Sequence, residues 1–493
     1  MEQENQMVTV GQLPAPTAEK SRVPAVLTRL VWLLWVVSLG MLAVQIRGGT
    51  WELAGLVAVD GLTGVMWAAV TFFSGIVHSY SRRYMAGSRT LDRFFGRVFA
   101  FTLVVIVLVA ADSLVLFGTA WLAMGLLMAD LIGHVDGWPQ AQAAAALARR
   151  YFLASSALLT VALVTLWWHT GATTVSGVAS GVGTTTSTVV LFAASALLLS
   201  AMVQSALVPF QTWLLSSMTA PTPASALMHA GFVNAGGILL VRFAPVVTVD
   251  ASFMLVIVLV GAASALFGKL LKSVQVDVKT RLGCSTVGQM GFMIMQAGLG
   301  FFGAAVTHLV LHGFYKAYLF LSAGEEVEHT SPADTTHATA STGPVGLVVA
   351  ALAALAGGAL FAGLTGKGTS LDSGLLLTGL VVLTTMHATR SVLEKSALPV
   401  TDRYGAVPLV FLPAIAVYAA VYVAVRGVMA GVVTAPAELT VVHGVVAAAF
   451  LVAYIAIETG IYRDSDRLYV ALVNATRPAS GTSLTSMEEY NEY

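Results

Sequence analysis

Three titratable side chains follow one another at four-residue intervals in the apolar stretch 304-323. They are His308, His312 and Lys316, and on an α-helix this spacing puts all three on one face, one turn apart. The stretch is long enough to span a bilayer, where a buried charge costs about 3 kcal/mol or more. Lys316 is therefore expected to face the interior of a helix bundle or a wet cavity. A lysine beside two imidazoles predicts a relay for protons or another cation.

Two interpretations of this lysine stay open. In the first, the desolvated ammonium of Lys316 releases and rebinds a proton, and the two histidines pass protons on by tautomer exchange. In the second, the side chain extends its charge to the cytoplasmic surface. The second remains possible because Glu325 and Glu326 follow about two turns later.

The composition places the chain in a membrane. Of its 493 residues, 57% are hydrophobic and 10% are charged, with a mean hydropathy of +0.83, whereas soluble domains carry about 25% charged residues. The zero net charge excludes the basic surface that nucleic-acid binding needs. A single cysteine, Cys284, excludes an internal disulfide and a cysteine-clustered metal site. No Walker sequence or pair of haem ligands stands out, so the sequence shows no machinery for ATP hydrolysis or redox catalysis. We expect a chain that has no cofactor or metal of its own and is not itself an enzyme.

Apolar runs of bilayer-spanning length recur along the whole chain. They predict an all-α polytopic membrane protein with about fourteen transmembrane helices. The predicted spans are 25-46, 58-80, 95-111, 113-134, 151-169, 188-208, 224-243, 252-271, 285-300, 303-324, 343-364, 373-391, 406-427 and 440-461.

The basic residues predict the orientation of these spans. With the N-terminus inside, the cytoplasmic segments hold most of the Lys and Arg outside the spans, whereas the outer ends hold Arg47, Arg242, Lys367 and Arg426. This asymmetry is the positive-inside pattern. The sequence thus predicts a multi-pass protein of the cell (inner) membrane with both termini cytoplasmic. Its parts are a polar N-terminal extension (1-24), a transmembrane helical domain (25-467) and a polar C-terminal tail (468-493).

Three prolines interrupt the chain between two spans. Pro209, Pro221 and Pro223 lie in the segment VPFQTWLLSSMTAPTPAS, and proline removes a backbone hydrogen bond and breaks a helix. Broken helices at membrane depth line cavities, so this segment is a candidate wall of the ion path. A simple interhelical loop is the alternative.

Three stretches together resemble the antiporter-like membrane proteins, which include the proton-pumping subunits of complex I and the Mrp antiporter subunits. The stretches are QSALVPFQTWLLSSMTAPTPASALMHAGFVNAGGILLVRFAP (204-245), KSVQVDVKTRLGCSTVGQMGFM (272-293) and HLVLHGFYKAYLFLSAG (308-324). Their order and spacing match over roughly residues 55-330. The resemblance implies the antiporter-like fold with its broken helix.

Within that superfamily, further segments are similar to the DabB type, the membrane subunit of a two-component inorganic carbon transporter. These segments are MHAGFVNAGGILLVRFAP, with Asn234 and Arg242, the early VDGLTGVM and IVHSYSRRYMAG, and the late LYVALVNAT. The resemblance implies uptake of CO2 or bicarbonate that is coupled to an ion gradient.

The chain also departs from the pumping relatives. Those relatives carry a Glu after the Trp of a span like FGTAWLAMGLL and a Lys on the broken helix. The matching positions here are Leu122 and Gln204, so the Glu–Lys ion pair is absent in that form. Asp130, about two turns after Leu122 on a similar face, is a candidate replacement carboxylate; an interfacial aspartate is the alternative.

The resemblance assigns roles to other residues. It makes His229 a relay member between Gln204 and the Lys316 helix, although a core histidine with one hydrogen-bond partner is the alternative. Asp277, Lys279 and Arg281 resemble a cytoplasmic loop that is structural or forms a docking surface. From its position near the cytoplasmic end of a span, Lys269 is expected to be an anchor, with an additional relay cation as the alternative. His387 and His443 are isolated in the sequence and Glu458 lies near a cytoplasmic end, so these three are expected to be interfacial or packing residues.

The resemblance also implies a partner. That partner is a DabA-type protein with a zinc site similar to that of beta-carbonic anhydrases, docked on the cytoplasmic side. In this interpretation, H+ or Na+ flows through the Lys316 region and drives hydration of CO2 in the partner. A cation/proton antiporter or complex I-like subunit is the first alternative, which the loss of the Glu and Lys disfavours. A non-conducting membrane anchor is the second.

Overall fold

The computed structural model describes residues 21–183, 187–323, 343–395, 400–429, 437–479 and 481–482. About four fifths of these residues lie in helices. The helices are α1 (Val23–Gly48), α2 (Gly61–Tyr84), α3 (Leu91–Ala110), α4 (Leu114–Ile132), α5 (Pro139–Thr170), α6 (Val175–Gly181), α7 (Thr188–Gln204), α8 (Thr212–Ser216), α9 (Thr222–Ala230), α10 (Ala235–Arg242), α11 (Ala244–Val247), α12 (Ala251–Ser273), α13 (Val278–Gly298), α14 (Phe302–Leu321), α15 (Pro344–Thr365), α16 (Gly374–Lys395), α17 (Val400–Val428), α18 (Val441–Thr459), α19 (Ile461–Asp464) and α20 (Asp466–Ala475). The prediction of an all-α membrane protein is confirmed.

Eleven of the described helices are long and apolar enough to cross a membrane. The segment Thr222–Arg242, which contains α9 and α10, counts as one of them, and α7 is apolar but shorter. Two further helices, α13 and α14, have the length but carry more polar side chains. The predicted number of about fourteen spans is not confirmed and stays a prediction.

A small β-hairpin connects α1 to α2. Its strands are β1 (Trp51–Leu53) and β2 (Val57–Val59), which pair antiparallel with Trp51 opposite Val59. Asp60 follows the hairpin and caps α2, because its carboxylate accepts a hydrogen bond from Thr63 N at 2.8 Å. The hairpin is a local addition to an otherwise helical architecture.

The predicted helix break lies inside the protein. After α7, the chain continues through a non-helical segment, α8 and the 3-10 turn Ser217–Thr219, and Leu207, Trp213 and Leu214 are fully buried. Trp213 Nε1 donates to Val203 O at 2.9 Å, which adds a buried side-chain hydrogen bond to a carbonyl at the end of α7. This burial fits the broken-helix interpretation, since a simple interhelical loop would run over the surface.

The three predicted prolines lie where the helices stop and restart. Pro209 falls in the interruption between α7 and α8, Pro221 is the N-cap residue of α9, and Pro223 stands in its first turn, where a missing N–H removes no hydrogen bond. A second interruption, the 3-10 turn Phe232–Asn234, separates α9 from α10. This second interruption was not predicted from the sequence. Asn234 Nδ2 donates to Ala230 O at 2.7 Å there.

Helices α12 and α13 pack backbone against backbone. A Cβ atom at Gly268 would lie 2.3 Å from Gly288 N, and one at Gly291 would lie 2.5 Å from Ala265 N. Small residues at such positions let membrane helices approach closely. This contact fixes the position of α13, which is the neighbour of α14.

The described ends of the chain differ from the predicted extensions. Residues 23 and 24 already belong to α1, and α20 covers part of the predicted polar tail. Leu472 of α20 is buried in a cluster with Leu215 and Leu271. Residues 1–20, 480 and 483–493 of the predicted extensions lie outside the described residues.

We expect Gly268→Ala to lower the thermal stability of the detergent-solubilised protein, because overpacking costs about 1–3 kcal/mol. Gly96→Ala is the matched control, since nothing lies within 4 Å of the position of its Cβ and alanine favours a helix by about 1 kcal/mol. Fluorescence-detected size-exclusion after heating measures both variants. A Gly268→Ala protein as stable as the wild type contradicts the backbone contact.

Candidate functional site

The row of titratable groups on α14 forms as the spacing predicts. The rings of His308 and His312 are parallel within 13°, with centroids 5.8 Å apart. His312 is 5% exposed and Lys316, one turn later, is fully buried. The three side chains therefore share one face of a helix inside the bundle.

Lys316 is held by the backbone of a neighbouring helix. Its Nζ donates a hydrogen bond to Leu282 O of α13 at 2.8 Å. Among the described residues, no carboxylate forms an ion pair with it. Because this buried side chain ends on α13 inside the protein, the geometry favours the relay interpretation over extension to the surface.

A continuous chain of hydrogen bonds connects this lysine to the predicted relay histidine. Thr286 Oγ1 donates to the same Leu282 carbonyl at 3.0 Å, and it lies 2.9 Å from Nδ1 of His229. Since a hydroxyl has one proton to donate, Nδ1 of His229 must be the donor to Thr286. Nε2 of His229 is then left as an acceptor. The His229 ring also stacks on Phe320 of α14 with centroids 4.3 Å apart.

Several polar atoms beside this chain are buried without a protein hydrogen-bond partner among the described residues. They are Nε2 of His229, Nε2 of His308, both ring nitrogens of His312 and both amide atoms of Gln204. Buried polar groups in proteins are almost always hydrogen-bonded to protein or to ordered water. These atoms can therefore carry a water-assisted path along α14.

Gln204 lies at the end of α7 and is 1% exposed. Its buried amide can bind water, but it cannot exchange a proton as the lysine of the pumping relatives can. Leu122, the other departing position, is half-buried on α4. No ionisable pair therefore occupies these two positions.

Asp130 is not brought to the other candidates. Its carboxylate pairs with Arg149 at 2.8 Å, and both side chains are at least two-fifths exposed. Nearby, the hydrogen bond from Arg93 lowers the pKa of Asp136, which lies in the turn after α4. Asp130 therefore has the exposed surroundings that the alternative, an interfacial aspartate, predicts.

The predicted docking loop lies at the surface. Asp277 caps α13 by accepting from Thr280 N at 2.7 Å, and Arg281 is exposed. Lys279 points inward, with Nζ 3.4 Å from Ala220 O. Asp277 and Arg281 are therefore exposed, whereas Lys279 contacts the segment between the 3-10 turn Ser217–Thr219 and α9.

An ion pair at the opposite end of the bundle ties three helices together. Arg242 of α10 contacts both carboxylate oxygens of Asp60, and it donates to Thr63 Oγ1 and Val109 O at 2.6 Å each. Planar guanidinium geometry suits such multiple contacts. Arg242 therefore has a structural role. Its partner Asp60 could not be identified from the sequence.

A second group of ionisable residues, which was not predicted from the sequence, joins α12, α16 and α18. Lys269 Nζ lies 2.9 Å from His387 Nε2, and His387 Nδ1 lies 2.5 Å from Glu458 Oε1. Arg390 Nη1 pairs with the other oxygen of Glu458 at 3.1 Å. His387 and Glu458, which the sequence predicts to be interfacial or packing residues, therefore belong with Lys269 to one hydrogen-bonded group. In the part of the chain described, no three or more His, Cys, Asp or Glu form a group that could hold a metal ion.

The fold and the buried lysine define a class of protein: polytopic membrane proteins built on the antiporter-like helix bundle. A sequence model of the family NADH:quinone oxidoreductase/Mrp antiporter, transmembrane region, matches residues 111–393. A model of the N-terminus of complex I chain 5 matches residues 48–95. The chain belongs to the NADH:quinone oxidoreductase/Mrp antiporter family.

Curated relatives within that family carry two kinds of name. The chain is 39% identical over 286 residues to the probable inorganic carbon transporter subunit DabB1 of Halothiobacillus neapolitanus, which covers 57% of this chain and 51% of that protein. It is 35% identical over 284 residues to subunit L of the NADH-quinone oxidoreductase of Mycobacterium tuberculosis, covering 56% and 45%. The chain thus spans about half the length of the curated relatives it matches.

A solved structure supports the fold alone. The Mrp complex from Dietzia sp. DQ12-45-1b superimposes with a TM-score of 0.56 at 22% identity, over 95% of this chain and 52% of that one. The antiporter-like fold that the sequence predicts is confirmed.

We expect Thr286→Val to destabilise the protein, because the donor at Nδ1 of His229 is left buried without a partner, at a cost of about 1–3 kcal/mol. Thr286→Ser keeps the hydroxyl and is the control. Thermal unfolding of the purified protein measures the difference. If His229 and Thr286 interact as described, the double variant His229→Phe/Thr286→Val recovers part of the loss; strictly additive losses contradict the interaction.

Proposed function

We propose that this chain is the membrane subunit of an inorganic carbon uptake complex and conducts H+ or Na+ through the α14 region. The observation that carries the ion path is the buried Lys316, which is bonded to a backbone carbonyl and has no carboxylate partner among the described residues. An ionisable residue inside a membrane domain is expensive and marks an ion pathway.

The path is made of groups that can exchange protons. Lys316 and Thr286 both donate to the carbonyl of Leu282, which holds them together but passes on no proton. The link from Lys316 to His229 would therefore run through water at the buried Nε2 of His229. On the other side, the stacked rings of His312 and His308 lead along α14. Imidazoles accept a proton on one nitrogen and release it from the other. Water at their buried ring nitrogens would close the gaps.

The carbon substrate rests on relatives and not on a site in this chain. Relatives named DabB are 30–39% identical to this chain over the 276–329 residues that they share with it. We propose that the ion flux drives a DabA-type partner, in which a zinc site would activate water for hydration of CO2. That zinc belongs to the partner; no cofactor or metal is proposed for this chain.

The exposed loop before α13 is the proposed docking point for that partner. Val276, between α12 and α13, is 93% exposed. Asp277, the N-cap residue of α13, and Arg281, one turn into that helix, are also exposed. The loop lies on the side that the basic residues predict to be cytoplasmic. Both termini are proposed to lie on the same side, in the cell (inner) membrane.

A cation/proton antiporter or complex I-like subunit is the second candidate. The 35% identity to a subunit L supports it. Leu122 and Gln204 weigh against it, because those positions lack the ion pair of the pumping relatives, and the structure offers Asp130 only as a surface ion pair. A non-conducting anchor for a soluble enzyme is the third candidate.

We expect Lys316→Ala to abolish inorganic carbon uptake, because the removed amine is the central proton-exchanging group of the path. Growth of a host at low CO2, together with uptake of labelled bicarbonate, measures the effect. Arg150→Ala is the control, since it removes an exposed cation of α5 and not a group of the path. Full uptake by Lys316→Ala supports the anchor and overturns the relay.

Affinity purification of the full chain separates the first two candidates. We expect a large zinc-containing protein to co-purify, and Arg281→Glu to weaken that association because it reverses a charge on the proposed docking loop. Zinc content and the mass of the co-purified protein are the measurements. Recovery of redox or sister antiporter subunits would favour the second candidate.

A further inference from the structure

A cavity of about 520 Å³ lies beside the α14 row, between α12, α13, α16, α17 and α18. Its polar lining includes Lys269, Lys272, Gln289, Gln296, His308 and His387. The cavity therefore joins the far end of the α14 row, at His308, to the ionisable group formed by Lys269, His387 and Glu458.

The two ends of this cavity lie at different membrane depths. Lys269, His387 and Glu458 stand within the last turns of α12, α16 and α18, which end on the side predicted to be cytoplasmic. His308 stands in the second turn of α14, which starts on the opposite side. The cavity thus runs from the predicted cytoplasmic end of the bundle toward the row.

The protonation states of the group follow from its hydrogen bonds. A lysine ammonium can only donate, so Nε2 of His387 accepts from Lys269. Nδ1 of His387 then carries the proton that is donated to Glu458 Oε1, at 2.5 Å. The second oxygen of Glu458 accepts from Arg390. The imidazole is thereby oriented between an acid and a base.

We propose that Lys269, His387 and Glu458 are the cytoplasmic proton port of the ion path, and hence that the conducted ion is H+. In one direction, a proton moves from Lys269 Nζ to His387 Nε2 while the proton on Nδ1 moves to Glu458. Lysine becomes a neutral amine, glutamate becomes a carboxylic acid, and histidine remains neutral as the other tautomer. The reverse transfer takes a proton from the cytoplasm to Lys269, and water in the cavity passes it to His308.

The chemistry of the lining favours a proton over a sodium ion. Hard cations bind through carboxylate, carbonyl and water oxygens, whereas lysine and histidine side chains line the cavity, with no carboxylate among its described lining residues. A Lys–His–Glu series can transfer protons in either direction without binding a metal ion. The inference rests on the proposed ion conduction and adds its entrance and the identity of the ion.

Proton flux into inverted membrane vesicles that hold the full complex tests the port. A pH-sensitive dye reports the flux after a pH step, with and without Na+. We expect His387→Gln and Lys269→Arg each to lower the flux by about 100-fold. Lys269→Arg is the discriminating variant, because a guanidinium keeps the charge but does not release a proton, so a purely structural role would survive it.

The matched control is His443→Gln, a buried histidine of α18 whose Nδ1 contacts Thr440. Glutamine preserves the helix cap there, and the flux should stay near that of the wild type. In His387→Ala, added imidazole should restore flux, whereas pyrrole, which has no acceptor nitrogen, should not.

The outcomes separate the port from the proposed function. Wild-type flux in both Lys269→Arg and His387→Gln, combined with loss of flux in Lys316→Ala, overturns the port and leaves the ion path standing. Retained flux in Lys316→Ala overturns the ion path itself. A flux that requires Na+ and is carried by labelled sodium overturns the assignment of H+.

Discussion

The hydrogen bond from the ammonium of Lys316 to the carbonyl of Leu282 is the interaction on which the candidate site depends. It keeps a charged group in a membrane interior, where isolation would be costly. The same carbonyl also receives the hydroxyl of Thr286, so the lysine and His229 share one backbone group. Any shift of α13 would therefore disturb both ends of the chain of hydrogen bonds.

The position of α13 follows from its contact with α12. Glycines at the contact allow the two backbones to touch, which leaves α13 free to present Leu282 and Thr286 to α9 and α14. Beside this contact, the cavity between α12, α13, α16, α17 and α18 is lined by His308 of the row and by His387 of α16. The close contact fixes α13, and the mainly apolar cavity with its few ionisable groups can hold water without loss of the fold.

Local spacing explains what the sequence could predict. The intervals between His308, His312 and Lys316 are features of one helix. The prolines at 209, 221 and 223 mark helix ends, because proline interrupts a helix in any sequence. The class of fold and the row of the site were therefore accessible before the structure. His229 was accessible through the resemblance, although its partner Thr286 was not.

Long-range contacts explain what the sequence could not predict. Lys269 and His387 are 118 residues apart, and His387 and Glu458 are 71 apart. On their own helices each looks like an anchor or a packing residue. Asp130 is the opposite case, because its helical face suggested a role in the path, whereas its nearest partner is Arg149 at the surface. The break at Phe232–Asn234 contains no proline and is supported by Asn234.

Replacing Lys316 by arginine tests the central claim most directly, since arginine keeps the positive charge and does not release a proton at physiological pH. Proton flux is measured in vesicles that contain the assembled complex, and the amount of assembled protein is compared with that of the wild type. The account predicts normal assembly and a flux lowered by about 100-fold. A Lys316→Arg protein that conducts as well as the wild type would contradict it, because Lys316 would then act only as a fixed charge.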